Sequence, residues 1–539
     1  MMLETDYLII GAGSAGSVVA NRLSADDRTD VTVLEAGPTD LNPWIYFPLG
    51  YGHTHFDPAM NWRFESDPIA GLMDRKNYVP RGKVLGGSSS INALVYSRGH
   101  PDDFNEWRAE GNQGWGWPDV LAAYKRIEDH YLGASGIHGV GGPLTIRSTE
   151  RDAHPLCARF LEAGRQAGFR IAEDLNDEQV DGVGYYQLTL RGGFRMSASR
   201  AFLRPVMRRQ NLRVETKARV IRLLLDGRRA TGARYVQNGQ THTITARREV
   251  ILSGGAICSP QLLQLSGIGP ASRLQHFGIP VVVDLPAVGE HMQDHICYDH
   301  YYRSRVPTLN PQLTGVWGRF AAGLDYVLRR RGPLSISLNQ AGGYVRSRPS
   351  LERPDMQVYF CPISYAKPPQ GSTQIMALKP DSDFSVSISP CRPTSRGYVR
   401  LRSSDPLAAP AINPNFLDSN SDVELALAGA RLLRRFAAAP ALAGVIEAEL
   451  QPGPSVTSDQ ALIDNIRRTS ATVFHPVSSC RMGPDPRQSA VDSRLRVHGI
   501  AGLRVIDASI FPSVTSGNTN APAIMVGEMG ARFVLEDAR

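Results

Sequence analysis

Near the start of the chain the hydrophobic pattern changes period twice. Tyr7-Leu8-Ile9-Ile10 is an unbroken apolar run with polar residues before it and glycines after it. It predicts a strand buried on both faces in a parallel sheet. From Ser17 to Ala25, Val18, Val19 and Leu23 fall on one side of a helix. Val31-Thr32-Val33-Leu34 reads as a second strand and ends at Glu35, completing a β-turn-α-β unit within the first 37 residues. Similar runs recur far downstream, at Glu249-Val250-Ile251-Leu252-Ser253 before Gly254 and Gly255, and at Leu503-Arg504-Val505-Ile506 before Asp507. Their separation predicts one sheet assembled from distant segments. Between them, Ser385-Val386-Ser387-Ile388-Ser389 and Gly397-Tyr398-Val399-Arg400-Leu401 alternate apolar and polar. Alternation predicts antiparallel strands with one covered face. The expected class is α/β (α+β overall): a Rossmann-type domain with an inserted domain built on an antiparallel sheet.

Composition narrows the class further. The 539 residues are 42% apolar and 21% charged, with 51 Gly and 37 Pro. That excludes a disordered chain, a collagen-like fibre and a coiled coil. At roughly 150 residues per domain the length suggests three or four units in a row. The net charge is +7. Arg208-Arg209 and Arg329-Arg330-Arg331 are short isolated runs rather than a basic stripe, so no nucleic-acid partner is expected. The charge suits an anionic cofactor or a membrane surface. The six cysteines include no C-x-x-C pair, which argues against a disulfide framework and a structural zinc and suits a reducing compartment. Met1 to Asp6 runs straight into a strand without a basic and apolar leader. The uncharged stretch from Val250 to Ala271 is too rich in glycine and polar residues to span a bilayer. The expected location is cytoplasmic, with peripheral membrane contact left open.

Gly11-Ala12-Gly13-Ser14-Ala15-Gly16 follows the first strand and opens the first helix. Glu35 lies 19 residues after Gly16, close to the ~20 of a dinucleotide fingerprint. Gly11 permits the tight turn, Gly13 lets the backbone approach a pyrophosphate, and Gly16 lets helix and strand pack closely. Free N–H groups and the positive end of the helix dipole would meet the phosphates. Glu35 would accept hydrogen bonds from a ribose. The fingerprint alone does not separate NAD from FAD.

Longer segments carry a family resemblance. Arg81-Gly82-Lys83-Val84-Leu85-Gly86-Gly87-Ser88-Ser89-Ser90-Ile91-Asn92-Ala93-Leu94-Val95-Tyr96 resembles the first signature of the glucose-methanol-choline (GMC) oxidoreductases. Gly255-Ala256-Ile257-Cys258-Ser259-Pro260, continuing to Pro270, resembles the second. Val288-Gly289-Glu290-His291-Met292-Gln293-Asp294-His295, Thr394-Ser395-Arg396-Gly397, Ile412-Asn413-Pro414-Asn415 and Ser516-Gly517-Asn518-Thr519-Asn520-Ala521-Pro522 resemble further family blocks, in order along the chain. The resemblance implies FAD. It implies a cofactor-binding set that adds Ser14, Ala15, Ala36, Arg81, Val84, Gly86, Gly87, Val95 and Val220 to the fingerprint. Asn92 and Ala93 would put backbone near flavin N5. Asp507, Ala508, Thr519, Asn520 and Pro522 would meet the flavin near a final helix from Ala521 to Glu536, whose positive end favours the anionic reduced ring. Ile91 stands where some members attach FAD through a histidine, so non-covalent FAD is expected. The FAD domain is expected at 1–155, 195–305 and 478–539, and the substrate domain at 156–194 and 306–477.

Phe474-His475-Pro476-Val477, upstream of Cys480-Arg481-Met482-Gly483, resembles the family's catalytic histidine segment. The resemblance makes His475 the base and places Asn518 at the second catalytic position; Asn520 is the rival, and motif spacing favours Asn518. His291 and His295 have the i, i+4 spacing of a helical metal pair, but Met292 stands where a zincin needs Glu, so no metal is expected. The implied reaction is oxidation of an alcohol, a primary one by resemblance, with hydride passing to flavin N5. Similarity to the bacterial choline and alcohol dehydrogenase branch favours a quinone or another carrier as electron acceptor. An oxidase using oxygen and a hydroxynitrile lyase are the alternatives. Tyr51, Phe56, Trp317, Tyr359 and Phe360 are candidate substrate walls, and core packing accounts for each equally well.

Overall fold

The computed structural model describes residues 3–366 and 377–538; Met1 and Met2 of the N-terminal reading lie outside them. The predicted parallel sheet is present, in the order Leu212–Glu215, Val31–Leu34, Leu3–Ile10, Gln240–Leu252. Ile9 sits between Val33 and Ile251 and is fully buried, as a strand covered on both faces requires. The strand predicted at Glu249–Ser253 is longer because two partners share it. Its first half pairs antiparallel with Arg229–Gln237, and its last three residues pair parallel with Leu503–Val505. Arg504 can lie in that buried strand because Glu249 and Asp537 both pair with its guanidinium at 2.7 Å. Helices Ser14–Leu23 and Asn520–Asp537 pack on each other over this sheet and share its core. The parallel strands end together, at Gly11, Glu35, Ser253 and Ile506-Asp507, which is where open α/β sheets hold ligands.

The second sheet is antiparallel throughout: Ile446–Gln451, Ile296–Ser304, Asp383–Pro390, Met356–Cys361, Ala341–Val345, Gly182–Tyr185. Both faces of Asp383–Pro390 are buried, against the expectation of one covered face. Phe384, Val386 and Ile388 join Tyr298 and Phe360 in a core that helices Leu156–Gln166 and Asn420–Ala438 share. Ser385 and Ser387 point the other way, toward a cavity that they line with Asp299 and Tyr359. The polar face is turned to this internal cavity instead of to the outer surface.

Three expectations change. Tyr398–Arg400 is not in the large sheet; it pairs with Ala411–Asn413 in a separate ribbon against helix Gly255–Leu265. Ile296–Ser304, expected before the limit at 305, is an inner strand of the second sheet. A small third sheet joins Glu128–His130 and Leu144–Ser148 to Gln187–Arg191 and Phe194–Arg195, so it draws on both sides of the expected limit at 155. Short strands separated by helices and loops pair by tertiary contact, which a one-dimensional pattern does not encode.

Candidate active site

A cavity of about 1010 Å³ lies between the carboxyl edge of the parallel sheet and the polar face of the antiparallel one. It reaches the upper end of the roughly 300–1,000 Å³ usual for small-molecule sites. Three helices begin at its wall: Ser14–Leu23, Gly255–Leu265 and Asn520–Asp537, and none has a side-chain cap. Their flanking residues Gly13, Gly254 and Thr519 all line the cavity. Uncapped helix starts present N–H groups and positive dipole ends, so this wall is preset for negative charge. Glu35 is buried among them; it accepts from Ala12 N at 2.9 Å and Gly37 N at 2.8 Å, and burial pushes its carboxyl up to about 7. Asp507 accepts from Gly255 N at 2.8 Å and from the Ser259 hydroxyl at 2.6 Å, tying the third strand end to the last.

Gly11, Gly13, Ser14, Ala15, Glu35, Ala36, Arg81, Gly87, Asn92, Ala93, Val95, Val220, Asp507, Ala508, Thr519 and Asn520 all line this cavity, as do His475 and Asn518. Four residues expected at the cofactor stand behind the wall. Gly16 packs on the Gly11 carbonyl, Val84 packs with Ile45 and Met60, Gly86 abuts Ser90 and Ser199, and Pro522 is buried in the first turn of its helix. Among the candidate substrate walls, Tyr51, Phe56 and Tyr359 line the cavity. Phe360 belongs to the core behind the sheet, and Trp317 is 83% exposed on an outlying helix.

Around His475 the cavity wall is a buried hydrogen-bonded series. His295 Nε2 lies 2.9 Å from the Cys391 carbonyl, to which it can only donate, so His295 Nδ1 carries a lone pair. His475 Nδ1 stands 3.0 Å from that lone pair and must be the donor. The network therefore assigns the tautomer of His475: its Nε2 is unprotonated. Asn518 Nδ2 donates to this Nε2 at 3.0 Å. The amide is oriented from behind, because Gln357 Nε2 donates to Asn518 Oδ1 at 3.1 Å and Gln357 Oε1 accepts from the Tyr359 hydroxyl at 2.6 Å. Asn520 instead accepts from the Ser14 hydroxyl at 2.9 Å, joining two helix starts. Asp294 holds both histidines by their backbones, accepting from His295 N at 2.8 Å and His475 N at 2.7 Å. Burial first, with the nearby Arg81 guanidinium adding to it, drives the His475 pKa well below the ordinary range.

The N-terminal model of the GMC oxidoreductase family matches residues 5–297, and its C-terminal model matches residues 393–527. The chain is a GMC oxidoreductase. An alcohol dehydrogenase (acceptor) of Pseudomonas putida is 41% identical over 534 residues, covering 98% of this chain and 95% of the relative. Mitochondrial choline dehydrogenase of Homo sapiens is 40% identical over 540 residues, covering 98% of this chain and 90% of that one. Among solved structures, pyridoxine 4-oxidase from Mesorbium loti superposes with a TM-score of 0.88 at 32% identity, over 98% of each chain. The protein is accordingly an FAD enzyme acting on CH–OH donors.

The cavity of this GMC oxidoreductase fits FAD on its own terms, since glycine-walled turns and three helix starts without side-chain caps of their own converge on one space. Sequence reading missed His295 and Gln357. In sequence His295 stands in a family block and as a partner of His291, without a role of its own; the His291 backbone is left-handed (φ +63°) outside any helix, so the two make no helical pair. Gln357 sits in a strand that otherwise reads as apolar. Among the described residues a different group brings metal-ligand atoms together, His130, His138 and Asp174. Its His138 already pairs with Asp174 at 2.6 Å, and the Arg98 guanidinium stands 2.8 Å from the other ring nitrogen, a cation that opposes a metal there.

Proposed function

We propose that this enzyme oxidises a primary alcohol to the aldehyde, with His475 as base and Asn518 as the oxygen-binding partner, and passes the electrons to an acceptor other than oxygen. The observation that carries the reading is the ordered series Cys391–His295–His475–Asn518, which presents an unprotonated Nε2 to the cavity. Because burial disfavours the cation, His475 is neutral and competent as a base at neutral pH. An alcohol placed between the two side chains would donate its hydroxyl proton to Nε2 and accept from Asn518 Nδ2. As the proton moves to Nε2, the charge growing on the oxygen meets the Asn518 N–H, an arrangement worth ~3–4 kcal/mol in comparable sites. The new imidazolium keeps its Nδ1–H bond to neutral His295.

FAD, when bound, supplies the hydride acceptor. Gly13, Ser14 and Ala15 would hold its phosphates, Glu35 its ribose, and Asn92, Ala93, Thr519 and Asn520 its ring. Ile91, apolar and on the cavity wall, offers no atom for a covalent link, which supports non-covalent FAD. Similarity to an alcohol dehydrogenase (acceptor) supports the acceptor assignment. The likeness to an oxidase favours oxygen as a second reading. Anaerobic mixing with primary alcohols tests both. The expected result is flavin bleaching, reversal by a quinone, and little peroxide on admitting air. Stoichiometric peroxide would replace the acceptor assignment while leaving alcohol oxidation in place; no bleaching by any primary alcohol would remove the whole reading.

A further inference from the structure

Helix Val316–Arg329 is turned the wrong way for a surface helix. Such helices ordinarily direct their apolar stripe at the core. Here only Ala322 and Tyr326 are buried. Val316, Trp317, Phe320 and Leu328 are 76%, 83%, 63% and 71% exposed, and Leu324 and Val327 are exposed with them. At 3.6 residues per turn these six positions fall in a single stripe about 120° wide, facing away from the protein. A contiguous exposed apolar surface of this kind marks an interaction site.

The charges around the stripe are basic. Arg319 flanks it, and Arg329 and Arg330 close its C-terminal end, all exposed. Asp325 is the helix's only acid and lies 3.6 Å from Arg329. The Arg330 guanidinium stacks on Phe194, whose strand partner is the exposed Arg191. Tyr326, on the inner side, contacts Phe47 at 5.4 Å, and Phe47 in turn contacts Trp44, itself 46% exposed. Exposed aromatic and aliphatic side chains with an arginine on one flank and arginines at the C-terminal end are what an anionic bilayer surface selects. The helix has 14 residues and is about 21 Å long, short of the ~30 Å of a hydrocarbon core. No helix among the described residues is long and apolar enough to cross a membrane.

We propose that helix Val316–Arg329 is an interfacial anchor that lies flat in an anionic phospholipid surface, its apolar stripe among the acyl chains and Arg319, Arg329 and Arg330 against the lipid phosphates. The chain leaving this helix passes through Pro333–Ser335 to Leu338 and Asn339 on the cavity wall. The anchor therefore holds the cavity close to the bilayer.

The test is flotation of the holoenzyme with vesicles of phosphatidylcholine, with and without phosphatidylglycerol. Wild-type protein should float with the anionic vesicles and be released in part by salt. Trp317→Ser, Phe320→Ser and Val327→Ser combined should weaken flotation by about a hundredfold, with FAD content and thermal unfolding in solution unchanged. Brominated lipids should quench wild-type tryptophan fluorescence and lose that effect with Trp317→Ser alone. Wild-type protein that stays in the supernatant with both vesicle types, or a triple variant that floats equally well, overturns the proposal. So does a wild-type dimer that the triple variant converts to monomer without flotation, because the stripe would then be covered by a second copy.

Discussion

The two sides of the cavity are built on different principles. On the parallel-sheet side the groups offered to a ligand are mainly backbone: three uncapped helix starts, with Glu35 and Asp507 accepting main-chain N–H groups among them. What matters there is where the chain can pass. Gly11 sits at φ +103°, and a Cβ on it would lie 2.4 Å from the Ser253 carbonyl oxygen. On the antiparallel-sheet side the groups offered are mainly side chains whose proton positions depend on one another, from the Cys391 carbonyl through His295 and His475 to Asn518, Gln357 and Tyr359. A backbone cradle fails by losing its ligand. A side-chain relay fails by keeping its ligand and losing the reaction.

The largest expected effect breaks the relay at its base. His475→Ala should retain FAD and lower the rate of anaerobic flavin reduction by about 10²–10⁴-fold. Reduction at the normal rate would remove His475 from the mechanism. The wild-type pH profile sharpens the same point. The folded pKa of His475 lies well below 6.5, so protonation of the base, and with it loss of rate, should set in only well below that pH. A rate that halves near the ordinary histidine value would contradict the burial argument.

Gly11→Ala tests the other side. A left-handed backbone and a clash with the main chain of Ser253 together cost roughly 2–4 kcal/mol. FAD affinity should drop by about a hundredfold, read as flavin absorbance per mole of protein. The rate per remaining bound flavin should stay close to wild type. If that rate fell in step with occupancy, the two sides would not be separable.

The difference between the sides also explains what the sequence disclosed. The backbone cradle was legible because its signal is local: strand, glycine turn, helix and acid follow one another from Tyr7 to Glu35 and fold into contact in that order. The relay was legible only at His475 and Asn518, and through family resemblance, since 13 histidines give no way to choose among them by type. His295 comes to His475 across 180 residues, and its role depends on a carbonyl at Cys391 that no pattern announces. Trp317 shows the converse error. An aromatic residue looks the same in sequence whether it lines a pocket or faces outward, and its helix turned out to be amphipathic in the reverse sense. The limit at 305 failed for a related reason: Ile296–Ser304 is apolar enough for either sheet, and its neighbours Asp383–Pro390 and Ile446–Gln451 decide which.

The smallest effect asks whether the relay extends beyond its two central members. Gln357 does not touch His475; it acts on the Asn518 amide, whose Oδ1 it holds so that Nδ2 faces His475 Nε2. Gln357→Leu removes that donor and lets the amide turn its oxygen toward His475, where it repels both the Nε2 lone pair and an alkoxide. The loss should be about tenfold in kcat with little change in KM, because the Asn518 contact strengthens as charge develops on the oxygen. Packing damage would look similar in a single variant, so the deciding measurement is the double substitution. In an Asn518→Ala background there is no amide left to orient, and Gln357→Leu should cost nothing further. Two costs that simply add would mean that Gln357 supports the strand rather than the amide, and the relay would end at Asn518.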